Sequence, residues 1–285
     1  MTAMRPADQS PSVPGGKSLW NTAPTLLQDL LTLATDLALA AGALHAEGAR
    51  QALRVETKSS STDLVSQVDR EAERLIVDQL RAARPDDALL AEEGASRQGT
   101  SGVRWVIDPL DGTTNYVYGY PAFAVSIAVE VDGGAQVGVV FDSSADHLYQ
   151  AVRGHGAACD GARIGAREQT DLSQALVATG FSYDAAQRAN QGATLAQVLG
   201  RVRDIRRGGS AALDLCHLAA GRIDAYWELD LSPWDYAAGA LIAREAGADV
   251  AFMPAAHGRG PALVAANPAL LPAFSALLRE AGALI

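Results

Sequence analysis

The sequence predicts a layered protein in which an α+β half is followed by an α/β half. In the first half, two segments of alternating polar and apolar residues, 123–131 and 135–141, are joined by the turn sequence Asp132-Gly133-Gly134, which predicts an antiparallel hairpin. In the second half, helix-like and strand-like segments alternate from residue 175 onward, which is typical of an α/β arrangement. A chain of 285 residues, 48% of them hydrophobic, can bury the core that such layers need.

The N-terminal residues differ in composition from the rest of the chain. Residues 1–23 are rich in Pro, Gly and Ser and lack the apolar stretch of a secretory signal, so they are predicted to be a flexible tail. Residues 24–285 are predicted to form a single domain made of two fused halves, about 24–165 and 166–285.

Two helices are predicted to open the folded part. Leucines recur at helical spacing between residues 24 and 53 and predict the first helix. Its most apolar stretch, 30–44, is interrupted by Asp36 and is predicted to be too short to cross a bilayer. A polar loop at 56–62 separates it from a second amphipathic helix at 64–83, which ends before a proline.

The remaining elements are predicted from short apolar runs and from helical periodicity. In the first half, strands are expected at 87–93, 103–107, 123–131, 135–141 and 148–153. In the second half, strands are expected at 175–180, 202–205, 224–228 and 262–266, and helices at 186–199, 211–220, 234–246 and from Pro268 onward.

The net charge limits the classes of partner. The chain carries 33 acidic and 23 basic side chains and a formal charge of −10. This balance argues against binding to nucleic acid or to an anionic membrane through a general positive field. An anionic substrate stays compatible with it, because bound divalent cations can reverse the sign of the local charge.

Cysteine and histidine spacing indicates neither a disulfide framework nor a zinc site. Cys159 and Cys216 form no C-x-x-C pattern, which favours a reduced compartment such as the cytoplasm, with both thiols packed as small groups. The histidines, none of them at metal-ligand spacing, are His45, His147, His155, His217 and His257.

The segment DPLDGTT, at residues 108–114, carries the strongest chemical signal. Asp108 and Asp111 lie three residues apart with a tight bend between them, where the Leu110 carbonyl could join them around a hard cation such as Mg²⁺. Gly112 permits close approach of a ligand to the backbone. A helix beginning near Thr113 would direct free N–H groups at an anion. An ordinary Asp-Gly surface turn is the alternative.

Other acids gain significance from their positions at strand and helix ends. Glu92 and Glu93 end a strand within 20 residues of the DPLDGTT segment, although adjacent acids are also common on solvated surfaces. In the segment SPWDYAAG, Ser232 fits an N-cap, Pro233 the first helical position and Asp235 the first turn, so helix capping alone would explain Asp235.

Two further segments admit both a functional and a structural interpretation. Asp63 and Asp69 lie around the start of the second helix, where they could be catalytic or simply solvated charges. The segment RRGGSAA, at residues 206–212, is a strand-to-helix turn whose N–H groups could meet substrate oxygens, and a plain glycine turn explains it equally well.

Taken together, these segments resemble the inositol monophosphatase family of magnesium-dependent, lithium-sensitive phosphatases. The family string W-x-I-D-P-[LI]-D-G-T-[ST]-N corresponds to Trp105–Asn115, and W-D-x-A-[AG]-G corresponds to Trp234–Gly239. Lys58, Asp63 and Asp69 match K-x4-D-L-V-x3-D, which favours the functional interpretation of both aspartates. The resemblance covers about residues 25–280. Ala91 departs from it, since the family commonly has Gly before the two glutamates.

The resemblance implies a fold and a set of site residues. The implied fold is an αβαβα sandwich of the sugar-phosphatase type. Two to three Mg²⁺ ions are implied, with ligands from Glu92, Asp108, the Leu110 carbonyl, Asp111 and Asp235. Thr113, oriented by Asp69, would position the attacking water together with Glu92. The implied substrate-binding residues are Asp111, Gly112, Thr113, Ser210, Ala211, Glu228 and Asp235. Lys58 and Asp63 would belong to a loop beside the metals.

The resemblance also implies an activity and its alternatives. The expected reaction is Mg²⁺-dependent hydrolysis of inositol monophosphate or a related polyol phosphate by a metal-activated water, in a homodimer without nucleic-acid or membrane partners. Relatives act instead on 3′-phosphoadenosine 5′-phosphate, fructose 1,6-bisphosphate or histidinol phosphate, and Glu228 with the Gly209–Ala212 turn favours the inositol phosphates among them. A regulatory role through protein contacts is the alternative from another class.

Overall fold

The structure is a computed structural model that describes residues 19–49, 55–57 and 64–285. The predicted loop residues Lys58 and Asp63, and residues 1–18 of the predicted tail, lie outside the described residues. Within the remainder of that tail, the side chains of Trp20 and Ala23 are buried against the first helix, so ordered packing includes residues N-terminal to the predicted boundary at residue 24.

Strands follow one another in much of the first half of the described chain, and helices and strands alternate more regularly in the second half. The helices are α1 Thr25–Gly48, α2 Gln67–Ala83, α3 Thr113–Tyr118, α4 Ala185–Leu199, α5 Ala211–Ala219, α6 Pro233–Glu245 and α7 Leu271–Glu280. The strands of the first half are β1 Val55–Thr57, β2 Leu64–Ser66, β3 Ala88–Ala91, β4 Ser96–Arg97, β5 Val103–Asp111, β6 Ala124–Val131, β7 Gly134–Asp142, β8 His147–Val152, β9 Ala157–Cys159 and β10 Ala162–Arg163. The second half contributes β11 Leu176–Thr179, β12 Asp204–Arg206, β13 Ala225–Glu228, β14 Asp249–Met253 and β15 Ala262–Ala266.

Two large sheets organise these elements. The first has eight strands in the order β10-β9-β8-β7-β6-β5-β3-β4, and its neighbours are antiparallel except for the parallel pair β3 and β5. The second has five strands in the order β12-β11-β13-β15-β14, in which the first three are parallel and β15 runs antiparallel to both of its neighbours.

Three large hydrophobic clusters hold the layers together. One lies between α1, α2 and the outer face of the first sheet, and a second lies between the two sheets and encloses α5 and α6. The third covers the outer face of the second sheet with α4 and α7. The resulting order of helices, sheet, helices, sheet and helices confirms the expected αβαβα sandwich.

Several predicted boundaries were wrong, each for a local reason. The second helix begins at Gln67 rather than residue 64, because Ser66 caps it by accepting the N–H of Val68 at 3.1 Å. The first helix ends at Gly48, short of residue 53. Strand β14 was missed, since it lies at a sheet edge and lacks a clear buried stripe. The hairpin between β6 and β7 is confirmed, with positive φ at Asp132 and Gly133.

The prediction that the first helix is too short to cross a bilayer was also wrong. With 24 residues, α1 has the length and composition of a membrane span. Its buried stripe packs against α2 and the first sheet, and Leu30, Ala34, Leu37 and Ala41 are almost inaccessible to solvent. This packing accounts for the apolar residues of α1 without a membrane.

Candidate active site

The site begins where two parallel strands end side by side. Ala91 pairs with Ile107 in the parallel ladder of β3 and β5, so Glu92 and Asp108 follow at the same sheet edge. The Glu92 N–H donates to the Ile107 carbonyl at 3.2 Å. Burial raises the pKa of Asp108 well above its usual range, and the charge of Glu92 adds to the increase. The two predicted carboxylates are therefore neighbours.

A β-bulge brings Asp111 to the same place as Asp108. Asp108 pairs with Ser126 and Asp111 with Ala124, so β5 contains one residue more than β6 between these pairs. On a regular strand, two residues three positions apart point to opposite faces of the sheet. The inserted residue breaks this alternation, so Asp108 and Asp111 can point to the same side. The Asp111 charge also raises the pKa of Asp108, which shows that the carboxylates converge.

The buried side chain of His45 supports this bulge. Its place in the site was not predicted from the sequence. The Nε2 of His45 lies 3.0 Å from the Pro109 carbonyl oxygen, and its Nδ1 lies 2.9 Å from the Ser143 hydroxyl. A carbonyl only accepts, so Nε2 carries the proton and Nδ1 accepts from Ser143. Burial lowers the pKa of His45 to about 4, which keeps it neutral near pH 7. Its position on the buried stripe of α1, four residues after Ala41, was the available sequence signal.

We expect His45→Leu to lower the free energy of unfolding by about 1–3 kcal/mol, because the buried Pro109 carbonyl loses its donor. Equilibrium urea denaturation measures this change. Thr32→Ala is the matched control, since it removes an exposed hydroxyl bonded within the same helix and should change stability by less than about 0.5 kcal/mol. Equal stability of His45→Leu and the parent would contradict the assigned role.

The turn after the bulge requires glycine. Gly112 has φ 91°, and a Cβ there would lie 2.7 Å from the Ala122 carbonyl oxygen. This turn starts α3 at Thr113, as predicted from the sequence. The side-chain amide of Asn115 donates to the carbonyls of Ala122 at 2.7 Å and Gly208 at 2.9 Å, which fixes α3 against the glycine turn of the second half.

Thr113 and Asp69 form a buried pair. The Thr113 hydroxyl lies 2.7 Å from Asp69 Oδ1 and 3.1 Å from the Leu110 carbonyl oxygen, and both of these atoms are acceptors. Asp69 Oδ2 accepts from the backbone N–H of Ser66 at 2.9 Å and from the Ser66 hydroxyl. Asp69 therefore caps α2 and orients Thr113 at once. Burial raises the pKa of Asp69, whereas these hydrogen bonds act to lower it.

The second half of the chain contributes the start of α5. Asp111 Oδ2 accepts from the Ser210 hydroxyl at 2.6 Å and from the Ala212 N–H at 2.8 Å, and Ser210 also caps α5 by accepting from Leu213. Burial raises the pKa of Asp111 to about 6, while these hydrogen bonds act in the opposite direction. Ala211, the first residue of α5, lies between the two groups that bind Asp111.

Asp235 both caps a helix and lies beside the other carboxylates, the two interpretations that its position in the sequence allowed. Its Oδ2 accepts the Ser232 N–H at 2.7 Å and thereby caps α6. Burial raises its pKa well above the usual range, and the charges of Asp111 and Glu92 add to the increase. Capping thus holds Asp235 rigidly beside the other carboxylates.

Glu228 lies at the end of β13 and faces the same region. The Tyr226 hydroxyl donates to Glu228 Oε2 at 2.7 Å. Burial raises the pKa of Glu228 to about 7, while Tyr226 and the Arg207 guanidinium act in the opposite direction. Sequence reasoning missed Asp214, an acid within the apolar helix α5, whose buried carboxylate has its pKa raised first by desolvation and then by Glu228.

The donor set fits a magnesium site. The carboxylates come from three elements: Glu92 follows β3, Asp108 and Asp111 lie on β5, and Asp235 lies on α6. The charges of Glu92, Asp111 and Asp235 all raise the pKa of Asp108. Converging buried carboxylates repel each other unless cations compensate them. Their ligand atoms are all oxygens, the type that Mg²⁺ prefers. Of the predicted site residues, those among the described residues meet here, whereas Lys58 and Asp63 lie outside that part of the chain.

Comparison with known proteins identifies one family over most of the chain. The family model described as "Inositol monophosphatase family" matches residues 26–282. The inositol-1-monophosphatase SuhB of Mycobacterium tuberculosis is 46% identical over 236 residues, covering 79% of this chain and 81% of the relative. The Nus factor SuhB of Escherichia coli is 40% identical over 262 residues, covering 89% of this chain and 97% of the relative.

A solved structure agrees with these relationships. The extragenic suppressor protein suhB of Bartonella henselae superposes with a TM-score of 0.82 at 36% identity, covering 88% of this chain and 99% of that protein. The shared fold and the family match over nearly the whole length agree. The chain belongs to the inositol monophosphatase family.

Proposed function

We propose that this chain is a Mg²⁺-dependent phosphomonoesterase that hydrolyses inositol monophosphate or a related polyol phosphate. Membership of the family supports phosphatase activity. The observation that carries the finer proposal is the convergence of four carboxylates beside the Thr113–Asp69 pair, with Glu228 facing the same region.

The carboxylates would hold the metal. In this proposal Glu92, Asp108, Asp111, Asp235 and the Leu110 carbonyl bind two to three Mg²⁺ ions. When bound, these ions supply positive charge for the phosphate oxygens and lower the pKa of nearby water. Buried, closely spaced acids with raised pKa values support this assignment, because they need compensating charge when ionised.

The protein itself positions the attacking water. The hydroxyl proton of Thr113 is directed at Asp69 or the Leu110 carbonyl, both of which only accept. The lone pairs of the Thr113 oxygen are thus available to accept a hydrogen bond from water. Glu92 would take up the proton of that water. Asp69 acts indirectly, by fixing the rotamer of Thr113.

The substrate alcohol and phosphate would meet different groups. In this proposal the backbone amides of Gly112 and Thr113 bind the phosphate, where the positive φ of Gly112 allows close approach. The side chains that face the alcohol portion are Asp111, Ser210, Glu228 and Asp235, next to the small residue Ala211. Glu228 would accept hydrogen bonds from ring hydroxyls and would do so better above its pKa of about 7.

The function is tested by phosphate release from a panel of phosphate monoesters with and without Mg²⁺. We expect the highest kcat/KM for inositol 1-phosphate, inhibition by lithium, and a selective loss for Glu228→Gln with the inositol substrate. Exclusive cleavage of 3′-phosphoadenosine 5′-phosphate, fructose 1,6-bisphosphate or histidinol phosphate would replace the proposed substrate. Absence of turnover on every ester would contradict the enzymatic function.

A role in protein contacts is the second candidate, because a 40% identical relative is named a Nus factor. Every acidic residue of the expected metal site is present, which favours catalysis over a purely regulatory role. Magnesium-dependent turnover by the purified chain distinguishes the two candidates. We further propose a homodimer, which sedimentation equilibrium would test. The cytoplasmic location, the single-domain boundaries and the loop role of Lys58 and Asp63 stay predictions.

A further inference from the structure

A second cluster of metal-binding side chains lies outside the proposed active site. It consists of His147 at the start of β8, Cys159 at the end of β9 and Asp160 in the turn that follows. One ligand atom from each of these side chains lies within 4.8 Å of those of the other two. His147 and Cys159 are partly exposed and Asp160 is exposed, so ions can reach the cluster from solvent.

The register of three short strands creates this cluster. Cys159 pairs with Tyr149, and His147 precedes Tyr149 by two residues, so the side chains of His147 and Cys159 lie on the same face of the sheet. Asp160 adopts a left-handed conformation with φ 50°. Its Oδ1 accepts the Leu148 N–H at 2.8 Å and its Oδ2 lies 2.7 Å from His147 Nδ1.

The cluster is separate from the carboxylate site. Asp111 pairs with Ala124 on β6, Ala124 with Asp142 on β7, and Asp142 with His147 on β8. Three strand spacings of about 4.8 Å place His147 on the order of 14 Å from Asp111 along the same sheet edge. An ion bound at one place would therefore share no ligand with the other.

The geometry points to a zinc site formed by Cys159, His147 and Asp160, with water in the remaining tetrahedral position. Thiolate sulfur, imidazole nitrogen and carboxylate oxygen are the ligands that Zn²⁺ takes, whereas the carboxylate site offers only the oxygens suited to Mg²⁺. A thiolate and a carboxylate also neutralise the charge of the ion. Histidine spacing in the sequence gave no indication of zinc, because these ligands meet only through strand pairing.

A buried hydroxyl provides an independent observation. Tyr149 is inaccessible to solvent, and its hydroxyl has no hydrogen-bond partner among the described residues other than the Cys159 thiol beside it. Burial raises the pKa of Tyr149, and the nearby Cys216 and Cys159 thiols add to the increase. A phenol next to a sulfur atom is a donor suited to a thiolate, so this contact becomes a charge-assisted hydrogen bond when metal binding removes the thiol proton.

Proton release accompanies the binding. In the metal-free protein Cys159 is a free thiol. When Zn²⁺ binds, a Zn–S bond replaces the S–H bond and one proton leaves to solvent. In the metal-free protein Nδ1 of His147 carries a proton and donates it to Asp160 Oδ2. For Zn²⁺ to bind Nδ1, that proton moves through solvent to Nε2, so the imidazole changes tautomer and releases no further proton. The His147–Asp160 hydrogen bond opens, because two tetrahedral ligands at zinc distances are about 3.3 Å apart.

Absorption spectra and calorimetry of the Mg²⁺-saturated protein test this site. Magnesium occupies the carboxylate site, and Co²⁺ serves as a spectroscopic probe for Zn²⁺. We expect a thiolate-to-cobalt charge-transfer band and tetrahedral d–d bands that Zn²⁺ abolishes. Cys159→Ser should remove the charge-transfer band and weaken Zn²⁺ binding by on the order of 100-fold or more, while Mg²⁺-dependent phosphate release is unchanged. His147→Gln should weaken Zn²⁺ binding similarly.

Two matched controls keep the test specific. Cys216→Ala removes the other thiol and His257→Gln removes an exposed histidine, and both should retain the cobalt spectrum. Tyr149→Phe deletes only the hydroxyl beside the Cys159 thiol and should weaken Zn²⁺ binding about 10-fold without unfolding the protein. Absence of a charge-transfer band in the parent, or its persistence in Cys159→Ser, would overturn the proposal. Neither readout depends on the identity of the phosphatase substrate.

Discussion

Asp111→Asn is expected to reduce Mg²⁺-dependent phosphate release about 1,000-fold while the fold is retained. Loss of one anionic ligand removes several kcal/mol of transition-state stabilisation, and about 4 kcal/mol corresponds to that factor. The fold survives because the asparagine carbonyl can still accept from the Ser210 hydroxyl and the Ala212 N–H. Initial rates at saturating Mg²⁺ measure the loss, and circular dichroism reports the fold.

Asp29→Asn is the matched control for this variant. It makes the same chemical change on the exposed face of α1, far in the chain from the carboxylate site, and should leave turnover unchanged. Turnover by Asp111→Asn within a few fold of the parent would remove Asp111 from the metal site. A variant that is inactive because it is unfolded would be recognised by its spectrum.

Removal of Mg²⁺ is expected to lower the melting temperature by about 5–10 °C at pH 7.5. An ion present at 100 times its Kd stabilises the folded state by about 2.7 kcal/mol, and each kcal/mol shifts the midpoint by about 2–4 °C in a chain of this size. Without the ion, the charges of Glu92, Asp108, Asp111 and Asp235 repel each other in a buried site. Thermal melts in Mg²⁺ and in chelator measure the difference.

The effect of Mg²⁺ on stability should depend on pH. Burial raises the folded-state pKa of Asp111 from 3.8 to about 6 and raises those of Asp108 and Asp235 as well. For such a group the folded state binds more protons than the unfolded state, so the metal-free protein loses stability as pH rises from about 4 through the folded pKa. Magnesium binds the deprotonated carboxylates and opposes this loss.

The gap between the Mg²⁺ and chelator melting temperatures should therefore widen between about pH 5 and pH 7.5. Asp111→Asn offers an internal comparison, because its metal-free form lacks one of the repelling charges and should lose less stability over the same interval. The buffers must be free of Ca²⁺. The ionic strength must be constant, because salt screens the same charges. A gap that is constant across this pH range would contradict the proposed repulsion.

The sequence by itself determined much of the fold and the chemistry of the site. The β6–β7 hairpin follows from an Asp-Gly-Gly turn between alternating segments, and the N-terminal cap of α6 at Ser232 and Asp235 follows from local helix rules. The string around Asp108, Asp111 and Thr113 was sufficient to identify the acids at the end of β5. These features depend on residues close together in the chain, so local spacing predicts them.

Only the tertiary structure decided which groups share an environment. The bulge that aligns Asp108 with Asp111, the contact of His45 with Pro109 across 64 positions, and the meeting of His147 with Cys159 depend on strand register and helix packing. Burial then sets the pKa of His45 and Glu228, whose sequence neighbours give no indication of it. Long-range pairing fixes these contacts, because a one-residue change in register would turn each side chain to the opposite face.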